Sequence, residues 1–272
     1  MDVDVDAAIG GLTSNSLYHY RVKAVNCSPA PVYGSDMTFI TLATVTTSPV
    51  TDITTISASC GGDVDPNFGP EDVTSRGVCW STSPIPTPAD NSTVDGSGFG
   101  SFTSSLTGLT SNTVYYVRAY AINAGGTAYG EERSFTTLAS VATAAVSSIT
   151  TSSATSGGTI TIAGGATITS RGVCWSTISD PTIADNSTSD GTGEGIFSSS
   201  LSGLNSNTKY YVRAYATNVA GTSYGNQITF TTQASVSTTS ISNIKNISAS
   251  GGGTVSVGRS EERRVGKECR SR

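Results

Sequence analysis

The feature that most constrains the fold of this chain is an internal repeat. The pentapeptide Arg-Gly-Val-Cys-Trp occurs at Arg76–Trp80 and again at Arg171–Trp175, an offset of 95 residues. The hexapeptide Tyr-Tyr-Val-Arg-Ala-Tyr occurs at Tyr115–Tyr120 and at Tyr210–Tyr215, with the same offset. Two long words at one offset indicate a tandem array of one structural unit. Such an array favours spacing, display or adhesion over catalysis.

The repeat predicts two full copies, at residues 44–138 and 139–234, flanked by two partial copies. Residues 1–43 match the back half of a copy, and residues 235–258 match the front strands of another. Residues 259–272 depart from the repeat and hold six of the 15 Lys and Arg residues of the chain. This tail resembles a translated sequencing adapter and is interpreted as non-native. A native, solvated basic tail is the alternative.

The composition of the chain argues against two classes of function. The formal net charge is −5, and only 13% of the residues are charged. An acidic chain without a basic stripe repels phosphate backbones, so nucleic-acid binding is not expected. No apolar run approaches the ~20 residues of a membrane-spanning helix, so no membrane span is expected either. Abundant Thr, Ser and Gly are common in secreted bacterial surface modules and predict an extracellular or cell-surface location.

The side-chain pattern predicts strands and no helix. Apolar and polar side chains alternate along residues 115–122, which is the period of a pleated strand. About seven short strands in each ~95-residue copy, separated by Gly, Pro, Asn and Asp turns, predict an all-β sandwich of two antiparallel sheets. Trp80 and Trp175 are expected to point into the two cores, because a Trp side chain buries a large apolar area.

The segment Leu109–Tyr115 and the alternating residues after it resemble the fibronectin type III signature around strands E, F and G. The Arg-Gly-Val-Cys-Trp variant resembles the tandem type III repeats of large secreted bacterial surface proteins. The resemblance covers nearly all of residues 1–258 and implies tandem immunoglobulin-like antiparallel β-sandwiches. It departs from the animal-type pattern in placing the Trp on strand C instead of strand B. It also implies three tyrosine corners, whose hydroxyls bond back to the preceding chain: Tyr18, Tyr115 and Tyr210.

One row of aromatic and basic side chains is the candidate ligand face. The row is predicted to point outward from one strand, where aromatic rings beside a guanidinium group could stack on sugar rings or on peptide. The alternative is that Tyr and Arg simply suit an exposed strand. The members of the row in the two full copies are Tyr116, Arg118, Tyr120, Tyr211, Arg213 and Tyr215.

Repeated carboxylates and a single histidine are the other candidates for chemistry. Asp90 and Asp95, with Asp185 and Asp190 in the next copy, lie in turn-rich segments where such side chains bond to nearby backbone. A weak calcium site is the alternative, although the spacing does not fit an EF-hand. His19 stands where the full copies carry Tyr, so no shared catalytic triad is expected. No catalytic residue, cofactor or resident metal is therefore predicted.

The cysteines do not form a disulfide framework. Cys79 and Cys174 occupy one repeat position, and a repeated unpaired cysteine more often packs as a small apolar residue than reacts. A disulfide between Cys60 and Cys79 is the alternative.

The sequence thus predicts a non-enzymatic structural or adhesive spacer array of an extracellular bacterial protein, with protein or glycan at the cell surface as its partners. Short linkers such as residues 136–140 predict a monomeric rod. The alternative is a set of accessory modules, carbohydrate-binding or spacer, of an extracellular polysaccharide-degrading enzyme. Glycan binding that depends on Tyr116 and Tyr120 would favour the alternative.

Overall fold

The computed structural model describes residues 4–25, 30–67, 69–70, 72–161 and 163–255. The tail at residues 259–272 and its interpretation lie outside the described residues. Within them the chain forms 22 strands and no helix, so none of the described residues belongs to a helix that could cross a membrane. The chain divides into two compact units, Met1–Leu138 and Ala139–Arg272.

Two antiparallel strand pairs form the N-terminal part of the first unit. The strands are β1 (Leu17–Tyr20), β2 (Lys23–Ala24), β3 (Val32–Tyr33) and β4 (Met37–Ile40). β1 pairs with β4, and β2 pairs with β3. Tyr20 and Val22 are 43% and 56% exposed here, whereas Val117 and Ala119, at the matching positions of the next copy, are fully buried. Apolar positions of this partial copy therefore lack the facing sheet that covers them in a complete sandwich.

Two antiparallel sheets build the sandwich of the first unit. Its strands are β5 (Val45–Thr47), β6 (Ser57–Val64), β7 (Ser75–Ser81), β8 (Asn91–Ser92), β9 (Gly100–Thr107), β10 (Val114–Asn123), β11 (Gly126–Tyr129) and β12 (Arg133–Thr136). One sheet has the order β5-β6-β9, and the other has the order β8-β7-β10 with β11 and β12 both paired to the far edge of β10. This is the A-B-E and C′-C-F-G arrangement of a fibronectin type III sandwich, so the predicted fold class is confirmed.

The core of this sandwich is filled from the inner faces of both sheets. Val78 and Trp80 from β7 pack with Val117 from β10 and Leu106 from β9. Trp80 is 8% exposed, and the other three side chains are fully buried. At the other end of the sandwich, a second cluster forms around the fully buried Val64. The alternation along β10 thus places every second side chain between the sheets.

The second unit contains a sandwich with the same topology. Its strands are β13 (Val141–Thr143), β14 (Ala154–Ile160), β15 (Ser170–Ser176), β16 (Asn186–Ser187), β17 (Gly195–Leu201), β18 (Lys209–Asn218), β19 (Gly221–Tyr224) and β20 (Ile228–Thr231). The sheets have the orders β13-β14-β17 and β16-β15-β18, with β19 and β20 on the edge of β18. Trp175 is 8% exposed and packs with the buried Val173, Leu201 and Val212. A separate antiparallel hairpin of exposed residues follows, formed by β21 (Val236–Lys245) and β22 (Ser248–Val255).

The connection between β7 and β8 contains a residue in an unfavourable backbone conformation. Ile85 has a φ of +62°, in the left-handed region that β-branched residues avoid. Its amide donates a hydrogen bond to the Glu132 carboxylate. In the second unit the matching residue is Asp180, with a φ of +58°, and its amide donates to the Gln227 side chain. Asp tolerates this conformation better than Ile does, so the same loop is less strained in the second unit.

We expect Ile85→Asn to stabilise the first sandwich by about 1 kcal/mol, because Asn relieves the left-handed strain. Little apolar burial is lost, since Ile85 is 68% exposed. The chain has two Trp residues, one in each unit, so urea unfolding followed by Trp80 fluorescence in a Trp175→Phe background measures the effect. The reciprocal change, Asp180→Ile, is the control and should destabilise the second sandwich when followed by Trp175. Equal stability of Ile85→Asn and its parent would contradict the strain argument.

Candidate functional site

The candidate site is the outer face of the sheet that contains β7 and β10. In the register of these strands, Arg118 lies opposite Cys79 and Tyr120 lies opposite Gly77. The repeated pentapeptide and the repeated hexapeptide are therefore neighbours in space. The same pairing joins β15 and β18 in the second unit.

The Arg of the pentapeptide is bonded to the backbone of a glycine-rich turn. The Nη1 atom of Arg76 donates to the carbonyl oxygens of Phe99, at 2.6 Å, and Gly100, at 2.9 Å. Its guanidinium carbon lies 5.2 Å from the centre of the Phe102 ring. Arg171 Nη1 donates to the carbonyls of Gly193 and Glu194, which stand at the positions of Gly98 and Phe99. This Arg therefore holds the turn that leads into β9 or β17.

The Gly of the pentapeptide makes room for a tyrosine ring. Tyr120 extends across Gly77, and its hydroxyl donates to the Thr93 carbonyl oxygen at 2.6 Å. A Cβ atom at Gly77 would overlap that carbonyl and lie 3.0 Å from the Tyr120 ring. Tyr215 crosses Gly172 in the same way, with its hydroxyl 2.7 Å from the Thr188 carbonyl.

The prediction that the whole aromatic–basic row points to solvent is wrong for its third member. Tyr120 is 2% exposed and Tyr215 is 5% exposed. The reason is that each ring crosses a glycine of the neighbouring strand and its hydroxyl bonds to the segment beyond that strand. Only the first two members, Tyr116 with Arg118 and the matching pair in the second unit, keep partial exposure.

The Arg side chains of the row are also engaged within their own units. Arg118 stacks on the Tyr129 ring, with its guanidinium carbon 3.6 Å from the ring centre, and its Nε donates to the Pro86 carbonyl at 2.6 Å. Arg213 lies 4.7 Å from the centre of the Tyr224 ring, and its Nε donates to the Gly225 carbonyl. Each guanidinium group is thus held by a neighbouring strand or loop. Although both Arg side chains keep partial exposure, their contacts leave Tyr116 in the first unit and its equivalent in the second as the members of the row best placed to meet a ligand.

The tyrosines expected at the corners make the hydrogen bonds that this role requires. The Tyr115 hydroxyl accepts from the Thr110 amide at 2.9 Å, and the ring stacks on Phe135 at 5.7 Å. The Tyr210 hydroxyl accepts from the Asn205 amide at 3.0 Å. In the partial first copy, the Tyr18 hydroxyl accepts from the Thr13 amide at 2.7 Å. These bonds close the turn before each of the three strands.

The repeated carboxylates are each used in a separate set of hydrogen bonds. Asp90 Oδ2 accepts from the amide and the hydroxyl of Thr87, which closes a local turn. Asp95 Oδ2 accepts from the hydroxyls of Thr93 and Ser104. Because Ser104 lies on β9, the Asp95 contact connects the two sheets. The sequence does not reveal this connection, because it depends on the packing of one sheet on the other.

Asp185 and Asp190 repeat these two roles in the second unit. Asp185 Oδ2 accepts from Thr182, and Asp190 Oδ2 accepts from Thr188 and from Ser199 on β17. In the described part of the chain, no group of three or more His, Cys, Asp or Glu side chains is placed to hold a metal ion.

The single histidine makes an exposed surface pair. His19 Nδ1 lies 2.7 Å from Asp36 Oδ2, and the two side chains are 60% and 59% exposed. Pairs of this kind contribute little to stability because water screens them.

The cysteines of the described residues are buried free thiols: Cys60, Cys79 and Cys174. The Cys60–Cys79 disulfide alternative is therefore wrong. The Cys79 thiol donates to the Pro86 carbonyl at 3.3 Å, and the Cys174 thiol donates to the Pro181 carbonyl at the same distance. Removal from water raises the pKa of each of these two thiols to about 11. A loop that covers the outer face of β7 or β15 causes this burial.

The comparisons with known proteins concern the fold. No family model and no curated protein matches the chain. Among solved structures, the chain is similar to the FN1–FN3 domains of chicken CNTN1, at 14% identity over 79% of this chain and 77% of that one, with a TM-score of 0.32. It is also similar to a two-domain fibronectin type III segment of chicken tenascin, at 18% identity over 67% of this chain and 94% of that one, with a TM-score of 0.35. Both scores are low, so the fold assignment rests on the strand order and pairing described above.

We expect Cys79 and Cys174 to resist alkylation in the folded protein, because the thiolate is the reacting species. At pH 8 a thiol with a pKa of about 11 holds about a hundredfold less thiolate than one with the ordinary value of 9.0. Reactivity should rise as the pH approaches the raised pKa. Iodoacetamide labelling mapped by peptide mass spectrometry measures the rates, with the urea-unfolded chain as the control. Native and unfolded rates within tenfold of each other at pH 8 would contradict the burial argument.

Proposed function

We propose that this chain is part of a non-catalytic spacer array in an extracellular bacterial surface protein. The array comprises full copies at residues 44–138 and 139–234 and partial copies at residues 1–43 and 235–258. The observation that carries the proposal is the use made of the repeated polar side chains. Arg76, Asp95 and Tyr120 have the chemistry that a site would need, yet each is bonded within its own sandwich. Repetition of these residues thus preserves the sandwich.

The connection between the full copies supports a spacer. Leu138 donates its amide to the Thr54 carbonyl and accepts from the Asn112 amide, so it belongs to the first unit. The next residue, Ala139, is 1% exposed in the core of the second unit. The two sandwiches therefore follow one another without intervening residues, as expected of a tandem array.

An extracellular location and a monomeric state complete the proposal. Support comes from composition: with 13% charged residues and 30 Gly among 272 residues, solubility depends on hydroxyl-bearing Ser and Thr more than on charge. Protein or glycan partners at a cell surface would then be bound by the other domains that the array positions, and not by its own sandwiches.

A second candidate is an accessory carbohydrate-binding array of a polysaccharide-degrading enzyme. The observation that favours it is the half-buried Tyr at the first position of the row in both sandwiches, Tyr116 and Tyr211. Lys209 lies 4.9 Å above the Tyr211 ring, so one face of that ring is already occupied by a cation. In each sandwich the next half-buried ring of this sheet, Tyr129 or Tyr224, is stacked with an Arg side chain. The two rings therefore do not form an uncovered platform, which favours the spacer.

A binding screen separates the two candidates. The whole chain is applied to an array of plant, fungal and bacterial polysaccharides, beside a Tyr116→Ala/Tyr211→Ala variant. Tyr33→Ala, which removes an exposed ring outside both sandwiches, is the matched control. The spacer proposal predicts no saturable binding with a Kd tighter than about 1 mM. Saturable binding that the double variant loses and the control retains would overturn it in favour of the carbohydrate-binding array.

A further inference from the structure

We propose that Asn15 and Asn123 form a joint that docks one repeat on the next, so that the partner of this surface is an adjacent repeat of the same chain. The joint holds residues 4–43 on the sandwich of residues 45–136, both within the first unit. It concerns how repeats are held, and it would stand whether the array is a spacer or a set of binding modules.

The half of the joint that belongs to the preceding repeat is the turn around Asn15. Asn15 has a φ of +49°, which Asn tolerates better than most residues. The backbone amide of Asn15 donates to the Leu42 carbonyl at 2.9 Å. Next to it, the Ser16 amide donates to Thr41 Oγ1 at 2.9 Å, and the Thr41 amide donates to the Ser16 carbonyl. The turn is thereby fixed to the chain segment that leads into the next sandwich.

The half of the joint that belongs to the following sandwich is Asn123, at the end of β10. Its Nδ2 donates to Asn15 Oδ1 at 2.9 Å and to the Thr41 carbonyl at 2.9 Å. Its Oδ1 accepts from the Gly125 amide, also at 2.9 Å, which shapes the turn after β10. One amide side chain thus serves its own sandwich with its oxygen and the preceding repeat with its nitrogen.

The contact between Asn15 and Asn123 is short and is buried away from water. Asn15 and Asn123 are 1% and 4% exposed. Asn15 Nδ2 also donates to the Gly69 carbonyl at 3.2 Å, so a second loop of the sandwich participates. Gly69 has a φ of +45°, and a Cβ atom there would overlap the Asn15 carbonyl. Buried amides that satisfy each other favour one arrangement, because any shift leaves polar groups unpaired away from water.

Each half of the joint recurs elsewhere in the chain. Asn112 and Asn207, at the position of Asn15, have φ values of +51° and +49°. The Asn112 amide donates to the Leu138 carbonyl, and the Asn207 amide donates to the Gln233 carbonyl, as Asn15 does to Leu42. Asn218, at the position of Asn123, accepts the Ala220 amide on its Oδ1 at 2.9 Å. The geometry of both halves is therefore a property of the repeat.

Hydrogen exchange of the whole chain tests the joint through Asn123→Asp. This near-isosteric change keeps the oxygen that accepts from Gly125 and removes the donor to Asn15 and Thr41. We expect exchange to become about tenfold faster, or more, in peptides that cover residues 13–18 and 38–42. Peptides from β6 and β9 should be unchanged. Asn205→Asp, the same substitution at an exposed position of the second unit, is the matched control and should alter neither region.

A second variant keeps the test decisive if Asn123→Asp disturbs the sandwich. Asn15 lies outside the sandwich, and Asn15→Gly retains the left-handed backbone there. The substitution removes the side-chain amide that bonds to Asn123. It should also accelerate exchange in residues 38–42. Unchanged exchange there in both variants would overturn the proposal. Acceleration of β6 and β9 to the same extent in Asn15→Gly would overturn it too, because the contact would then belong to the stability of the sandwich.

Discussion

The passage of the Tyr120 ring across Gly77 is the contact on which the arrangement of the five-stranded sheet depends. It links three neighbouring segments, because the ring starts on β10, crosses β7 and ends with a hydrogen bond to Thr93 after β8. The crossing requires a residue without a side chain on β7, since a Cβ atom would overlap the Thr93 carbonyl. In this position the ring is buried while its hydroxyl keeps a hydrogen-bond acceptor, as a buried Tyr requires. The second sandwich repeats this contact with Tyr215 and Gly172.

This contact explains why the two repeated words occur together. In the pentapeptide, Arg76 holds the turn before β9, Gly77 accommodates the ring, Val78 and Trp80 fill the core, and Cys79 packs under the covering loop. The hexapeptide supplies the ring, the corner tyrosine and the Arg that is fixed to that loop. Groups that suggest a site in the sequence are therefore used to hold strands and loops together. This use of the polar side chains favours a structural role for the chain.

Much of the fold follows from the sequence, because it depends on local patterns. The period of two along residues 115–122 identifies β10 and its buried face, and turn residues mark the ends of the strands. The exposure predicted for Tyr120 is wrong because it depends on strand register, which places Gly77 opposite the ring. The role of Asp95 depends on contact between sheets and cannot be derived from the turn in which it lies. The signal for this burial is a glycine, Gly77, opposite an aromatic residue, Tyr120, and it becomes visible only when the register of the two strands is known.

Gly77→Ala, compared with Tyr116→Ala, tests most directly whether the repeated words serve the fold. Urea unfolding of the whole chain in a Trp175→Phe background reports the first sandwich through Trp80. We predict that Gly77→Ala lowers the free energy of unfolding by about 1–3 kcal/mol, because the new methyl group overlaps the Thr93 carbonyl and crowds the Tyr120 ring. Removing the partly exposed Tyr116 ring should cost less, within about 0.5 kcal/mol of the parent. A Gly77→Ala protein as stable as its parent would contradict the account.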